Sequence, residues 1–260
     1  MRRPLIVLNW KMAMTLNETR AFVDAFQAAD EGRAAALDLV VCPPATALTT
    51  LADLAEETSI QVGAQNISTE TEPAHTGQLS GALLADAGAT WVLIGHYEVR
   101  RDFGDDWATL NMKIKRALDA DLRPVLLLGE DQRDEAIAAQ IRARVETVFA
   151  DCTVEQITRM GFVYEPSWAI GQDEPAPPKR IEEGARALRD ALTNQFGHDV
   201  GDRVQVIYGG SVTPQIAEAL LDLPSLDGLG MGRKGREPEA VAALVKQVMA
   251  KRHKGASDES

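Results

Sequence analysis

Short apolar runs alternate along the chain with longer stretches whose apolar residues recur at helical spacing. Leu5–Asn9 reads as a strand, and in Asn17–Ala29 the residues Ala21, Phe22, Ala25 and Phe26 fall on one helical face. The same two-part unit then repeats. Strands are predicted at Leu37–Cys42, Ile60–Ala64, Trp91–Gly95, Pro124–Leu128, Gly161–Tyr164, Val204–Tyr208 and Leu226–Met231. The helices between and after them are predicted at Ala47–Glu57, Ser80–Ala87, Trp107–Ala120, Gln132–Phe149, Lys179–Gln195, Gln215–Leu221 and Glu237–Lys251. The strands are continuous apolar runs, as expected where both faces of a sheet are covered. Eight strand–helix units with short connections predict an α/β fold with a parallel sheet closed as a (β/α)8 barrel, a single domain over residues 1–251. A doubly wound open sheet is the alternative from pattern alone. Residues 252–260 read as a polar, flexible tail.

Composition narrows the partners. The 260 residues carry a formal charge of −12, a surface that repels nucleic acid and anionic membranes. An anionic substrate would therefore need a pocket with its own positive potential. Cys42 and Cys152 are too few and too far apart for a disulfide framework, and neither sits in a C-x-x-C pair, so both read as small apolar residues. The Met-Arg-Arg-Pro start is followed by a short apolar run that Lys11 interrupts, which is not a signal peptide, and no run of 18 apolar residues occurs. A cytoplasmic protein with no nucleic-acid or membrane partner is expected.

In such a barrel the chemistry gathers at the C-terminal ends of the strands. Asn9, Trp10 and Lys11 follow the first strand, His96 and Glu98 the fourth, Gly129 and Glu130 the fifth. Glu165 and Pro166 follow the sixth, Gly209, Gly210 and Ser211 the seventh, and Gly232, Arg233 and Lys234 the eighth. Glycine turns before helix starts on the last two strands suit a phosphate, because the backbone approaches closely and N–H groups point at the anion. As a set these residues suggest a phosphorylated ligand, a carboxylate base, a histidine acid or electrophile and a fixed positive charge. No metal cluster is visible. Taken singly, each has a structural reading: His96 as a hydrogen-bonded histidine, Glu165 as a loop cap, Lys11 as a surface charge, Gly209-Gly210 as a turn.

Six ordered motifs carry a resemblance over nearly the whole chain. They are Asn9-Trp10-Lys11-Met12; Gly63-Ala64-Gln65-Asn66 with Thr76-Gly77; Ile94-Gly95-His96 with Glu98, Arg100, Phe103 and Gly104; Tyr164-Glu165-Pro166 with Trp168-Ala169-Ile170-Gly171; Tyr208-Gly209-Gly210-Ser211-Val212; and Asp227-Gly228. With them the chain resembles the triosephosphate isomerase family. The resemblance implies a TIM barrel and a cofactor-free, cytoplasmic isomerase of glycolysis and gluconeogenesis, interconverting dihydroxyacetone phosphate and glyceraldehyde 3-phosphate. By resemblance, Glu165 is the base, His96 the electrophile, and Lys11 the cation on phosphate and enediolate. Asn9, Gly171, Ser211, Gly232 and Arg233 would join Lys11 in binding substrate, and Glu98 would support Lys11. The lid would be Pro166–Ala176, with Trp168 on Glu130 and Tyr208 latching Ala176. It also implies a homodimer with the Thr76 loop at the contact.

Some positions depart from the family pattern. Gln172-Asp173-Glu174 replace a Thr-Gly-Lys run at the lid, Tyr97 replaces a serine beside His96, and Leu127 replaces a cysteine. Arg233, Lys234 and Arg236 stand where Gly, Ala and Leu are usual. Gln78 and Val99 replace a glutamate and an arginine that meet across the dimer contact, which avoids stranding one buried ion. Two other readings follow from the departures: a relative acting on a longer phosphorylated ketose such as a tetrulose phosphate, and a non-catalytic phosphate-ligand binding protein.

Overall fold

The computed structural model describes residues 2–133, 136–172 and 174–258, with side chains as far as Lys251. In chain order the first half is β1 (Leu5–Asn9), α1 (Leu16–Asp30), β2 (Asp38–Cys42), α2 (Leu48–Ala55), β3 (Ile60–Ala64), α3 (Gly81–Asp86), β4 (Trp91–Ile94), α4 (Tyr97–Phe103), α5 (Trp107–Asp119) and β5 (Arg123–Leu128). The second half is α6 (Ile137–Val148), α7 (Val154–Thr158), β6 (Gly161–Tyr164), α8 (Pro178–Phe196), α9 (His198–Arg203), β7 (Gln205–Gly210), α10 (Pro214–Leu221), β8 (Gly228–Met231) and α11 (Pro238–Asp258). The eight strands pair in sequence order, all parallel, and β1 closes on β8 with Leu5 opposite Gly228. The sheet is a closed (β/α)8 barrel, not the open doubly wound alternative.

The two-residue period of a strand divides the core into two layers. Leu5 and Val7 join Val40, Cys42, Trp91, Leu93, Val125, Leu127, Val163 and Ile207 in one buried cluster, the filling of the barrel. The intervening residues, Ile6 and Leu8 on β1 and Phe162 and Tyr164 on β6, pack outward into a larger cluster shared with the helices. Each fully buried Val, Leu or Ile contributes roughly 1.5–3 kcal/mol. Buried Cys42 and half-buried Cys152 are both free thiols, and loss of solvation pushes both above the usual thiol range.

The end of the barrel away from the strand tips is closed by paired charges. Asp38 accepts from Arg3 Nε at 2.9 Å, Gln61 Nε2 at 3.0 Å and Gln205 Nε2 at 2.9 Å. Asp227 accepts from Arg2 Nε at 2.6 Å, the Val206 N–H at 2.8 Å and Arg189. This end serves stability and leaves the strand tips to chemistry.

Three short helices escape periodicity: α4, α7 and α9 are seven residues or fewer. α7 carries a capping box, Thr153 with Gln156. The predicted helix Gln132–Phe149 starts later, at Ile137, because Asp131 folds back to accept from Arg144 of α6. β7 runs on through Gly209 and Gly210, which still pair with Gly230 and Met231. α11 extends past Lys251 to Asp258.

Candidate active site

The inward parity that fills the barrel continues past the strand ends into a cavity of about 800 Å³. Val7 is followed two and four residues on by Asn9 and Lys11, Val163 by Glu165, Gly209 by Ser211 and Gly230 by Gly232, and all of them line it. Leu93, Leu127 and Val212 add apolar wall, and Ile170 and Gly171 also line it.

Lys11 is delivered by a strained turn. Its φ of 55° lies in the left-handed region, costing on the order of 1–3 kcal/mol. Neighbouring bonds hold it there: Asn9 Oδ1 accepts from the Lys11 N–H at 2.9 Å, and Gln65 Nε2 donates to the Lys11 carbonyl at 2.8 Å and to the Cys42 carbonyl at 3.0 Å. The ammonium pairs with Glu98 Oε1 at 2.7 Å.

His96 caps α4, its Nδ1 accepting from the Glu98 N–H at 3.1 Å. A nitrogen that accepts carries no proton, so this bond fixes the neutral tautomer with its proton on Nε2. That Nε2 lies 3.6 Å from Glu165 Oε1. Both side chains are almost fully buried, 5% and 6% exposed. Glu165 is held by its own N–H, which donates to the Leu128 carbonyl at 2.8 Å, and its Oε2 accepts from the Tyr97 N–H at 3.4 Å. Gly129 is required beside it, because a Cβ there would collide with the Glu165 carbonyl.

The stretch that the resemblance implies as a lid is tied at both ends. Glu130, fully buried, accepts from Trp168 Nε1 at 3.0 Å, Tyr164 OH at 2.8 Å and Arg180 Nε at 3.0 Å. At the other end the Ala176 N–H donates to Tyr208 OH at 3.0 Å. Burial pushes the Tyr208 phenol up to about 12, with the Glu165 and Glu130 carboxylates adding to the rise, so it stays neutral at working pH. Ser211 Oγ donates to the Gln172 carbonyl. Gly210 leaves room for the latch, since a Cβ there would overlap the Tyr208 hydroxyl. Asp173 lies outside the described residues.

Arg233, Lys234 and Arg236 come from one 3-10 turn and line the cavity, with Lys234 Nζ held by Glu237 at 2.9 Å. They give a chain of charge −12 a locally positive mouth. Among the residues predicted from sequence, Asn9, Lys11, His96, Glu98, Glu165, Gly171, Ser211, Gly232 and Arg233 share this one cavity. Glu130, Trp168 and Tyr208 do not line it; they make the hydrogen bonds Trp168 Nε1 to Glu130 and Ala176 N–H to Tyr208 OH. Tyr97 offers the site its backbone N–H, while its ring lies under Arg101, 5.5 Å from the guanidinium, and does not line the cavity. Gln78 is engaged locally by Ser68. Sequence reasoning missed Gln65 as the brace of Lys11 and Arg180 as the partner of Glu130; neither has a local signal. Among the described residues no three His, Cys, Asp or Glu side chains form a metal cluster, and no helix is long and apolar enough to cross a membrane.

A buried carboxylate facing a neutral imidazole N–H, with an ammonium on the same cavity, can move a proton beside a carbonyl and stabilise the oxyanion that results. Comparison with known proteins agrees. The family model described as triosephosphate isomerase matches residues 4–248. The chain is similar to the triosephosphate isomerase of Solibacter usitatus, 35% identical over 94% of this chain and 99% of the relative. It is 37% identical to that of a Roseiflexus species over 94% and 97%. With that of Symbiobacterium thermophilum it shares 36% over 94% and 96%.

Proposed function

Because the chain belongs to the triosephosphate isomerase family, it is an aldose–ketose isomerase interconverting dihydroxyacetone phosphate and glyceraldehyde 3-phosphate, and we propose that Glu165, His96 and Lys11 carry the proton transfer. The substrate phosphate sits on the backbone N–H groups of Gly171, Ser211, Gly232 and Arg233, at the cationic end of the cavity. Asn9 orients the carbonyl end. Glu165 removes a proton from the carbon beside the carbonyl, and the negative charge moves to oxygen. There His96 Nε2–H donates to it and the Lys11 ammonium attracts it. With the hydroxyl proton passed from one oxygen to the other through His96 Nε2, Glu165 returns its own proton to the former carbonyl carbon, which completes the isomerisation without a cofactor. The lid keeps water from the enediolate while the proton is held on Glu165.

The observation that carries this reading is the 3.6 Å approach of Glu165 Oε1 to His96 Nε2 at a mouth shared with Lys11. Steady-state assays with both trioses test it. Turnover in both directions is expected, inhibited competitively by 2-phosphoglycolate, an enediolate-phosphate mimic. Background rates from correctly folded protein would overturn it.

The chain also works, in this reading, as a cytoplasmic homodimer. Met12 is 99% exposed and Phe103 76%, and Leu79 and Leu83 are exposed as well. Residues 71–79, which include Thr76, are exposed throughout. Large apolar side chains held in water at the cavity end of a barrel mark a surface that a partner covers. Thr76→Arg is expected to halve the mass measured by light scattering from two chains to one. An unchanged dimer in that variant would place the contact elsewhere.

A further inference from the structure

The first turn of the lid carries a hydroxyl that serves neither the base nor the latch. Ser167 is 8% exposed, in the turn Ser167–Ala169 two residues after Glu165. Its Oγ donates to Asp131 Oδ1 at 3.0 Å and accepts from Arg100 Nη2 at 3.0 Å. Its N–H donates to the Glu130 carbonyl at 2.9 Å. Arg100 in turn donates Nε to the carbonyl of Gly95, the residue before His96, at 3.1 Å. Asp131 is fixed from its other side by Arg144 Nη2 at 2.6 Å. Both guanidiniums rest on the Trp107 ring, 4.7 and 4.6 Å from its centroid. One hydroxyl therefore closes a chain of bonds from the backbone that carries His96, through α4, to the loop after β5 and the lid.

We propose that Ser167 is a positioning residue: by bridging Arg100 and Asp131 it holds the lid's first turn in register with the His96 backbone, so that closure brings Trp168 onto Glu130 and Glu165 over the substrate. Charge-assisted bonds on both sides of the hydroxyl make it a stronger tie than a neutral pair. Removing it does not strand the charges. Arg100 Nη2 and Asp131 Oδ1 already stand 3.7 Å apart and would close into a direct pair. The fold keeps its ion pair, while the lid turn loses its side-chain tie to α4. Loss of lid control without loss of fold is the signature that separates positioning from packing.

The catalytic part of the test rests on the isomerase reading; the spectroscopic part does not. Ser167→Ala in the full-length enzyme is expected to keep Tm within a few degrees and to lower kcat/KM about tenfold. It should also raise the inorganic phosphate released per isomerisation severalfold. An enediolate phosphate that water reaches breaks its C3–O bond, expels phosphate and leaves a dicarbonyl. With 5-fluorotryptophan incorporated, the 19F resonance of Trp168, assigned by Trp168→Phe, should shift in the unliganded variant and need more 2-phosphoglycolate to reach its bound position. Ser167→Thr keeps the hydroxyl and should restore all three readouts. Asp131→Asn should reproduce the phosphate leakage and the Trp168 shift, and adding Ser167→Ala to it should worsen these two readouts little. Wild-type phosphate leakage and a wild-type Trp168 resonance in Ser167→Ala would overturn the proposal, as would a large fall in Tm that threonine does not repair. If the wild-type protein failed to turn over trioses, the isomerase reading would fall, while the unliganded 19F comparison would still judge the hinge.

Discussion

Glu165→Gln should leave a folded protein that binds phosphate ligands normally and yet lower kcat about a thousandfold or more. A positioned general base contributes roughly 10²–10⁴ in rate, and the amide keeps the shape of the carboxylate while losing its basicity. The surroundings tolerate the swap. The backbone of Glu165 is fixed by the Leu128 carbonyl, and an amide oxygen can still accept from the Tyr97 N–H. KM should therefore move little, the pattern of an interaction used mainly in the transition state. Glu165→Asp tests the same claim by distance. It withdraws the carboxylate by about one methylene, and a misplacement near 1 Å costs on the order of 10². Exchange of the substrate's carbon-bound proton with D2O isolates the step: it should vanish in the glutamine variant even when binding of 2-phosphoglycolate is intact. A glutamine variant that still exchanges would assign the base to another residue.

The fold was legible because its signal is repeated eight times; small errors at strand edges, such as β7 running on through Gly209 and Gly210, do not disturb the count. The site was legible for a related reason. Asn9, Lys11, Glu165 and Ser211 continue the inward parity of Val7, Val163 and Gly209, so each is aimed by the strand that precedes it. His96 is different. It leaves the strand as the cap of α4, a helix too short for periodicity to show, and its Nε2 is aimed by the Glu98 N–H on Nδ1. Resemblance suggested its role; the cap accounts for its placement. Tyr97 looked like a change to the pocket and proves to offer the site only its N–H, because side-chain direction at a helix start is set by neighbours such as Arg101. The contact that joins Ser167, Asp131 and Arg100 was out of reach of sequence reading. These residues lie on three different connections, and only closure of the barrel brings them together.

Lys11→Met should be comparably damaging, and it should fail in a different way. The backbone of this position is held by Asn9 and Gln65, so the loop survives loss of the ammonium. What changes is charge. Lys11 and Glu98 form a pair at 2.7 Å, neutral as a unit; without the lysine, an unpaired carboxylate faces the cavity that takes an anionic substrate. The variant loses an attraction that grows in the transition state and gains a repulsion already felt in the ground state. Removing one preorganised donor costs about 10²–10³ in kcat, and the exposed carboxylate should weaken phosphate binding as well. We expect kcat/KM to fall by about 10³–10⁴, with KM rising and 2-phosphoglycolate affinity dropping together. Glu98→Gln added to Lys11→Met should recover about tenfold of kcat/KM, because it removes the repulsion and leaves the missing attraction missing. Glu165→Gln spares ligand affinity and Lys11→Met destroys it, so paired titrations with 2-phosphoglycolate separate the residue that moves the proton from the one that holds the charge. Equal affinities in the two variants would deny Lys11 that place, and no recovery in the double variant would deny Glu98 its part in it.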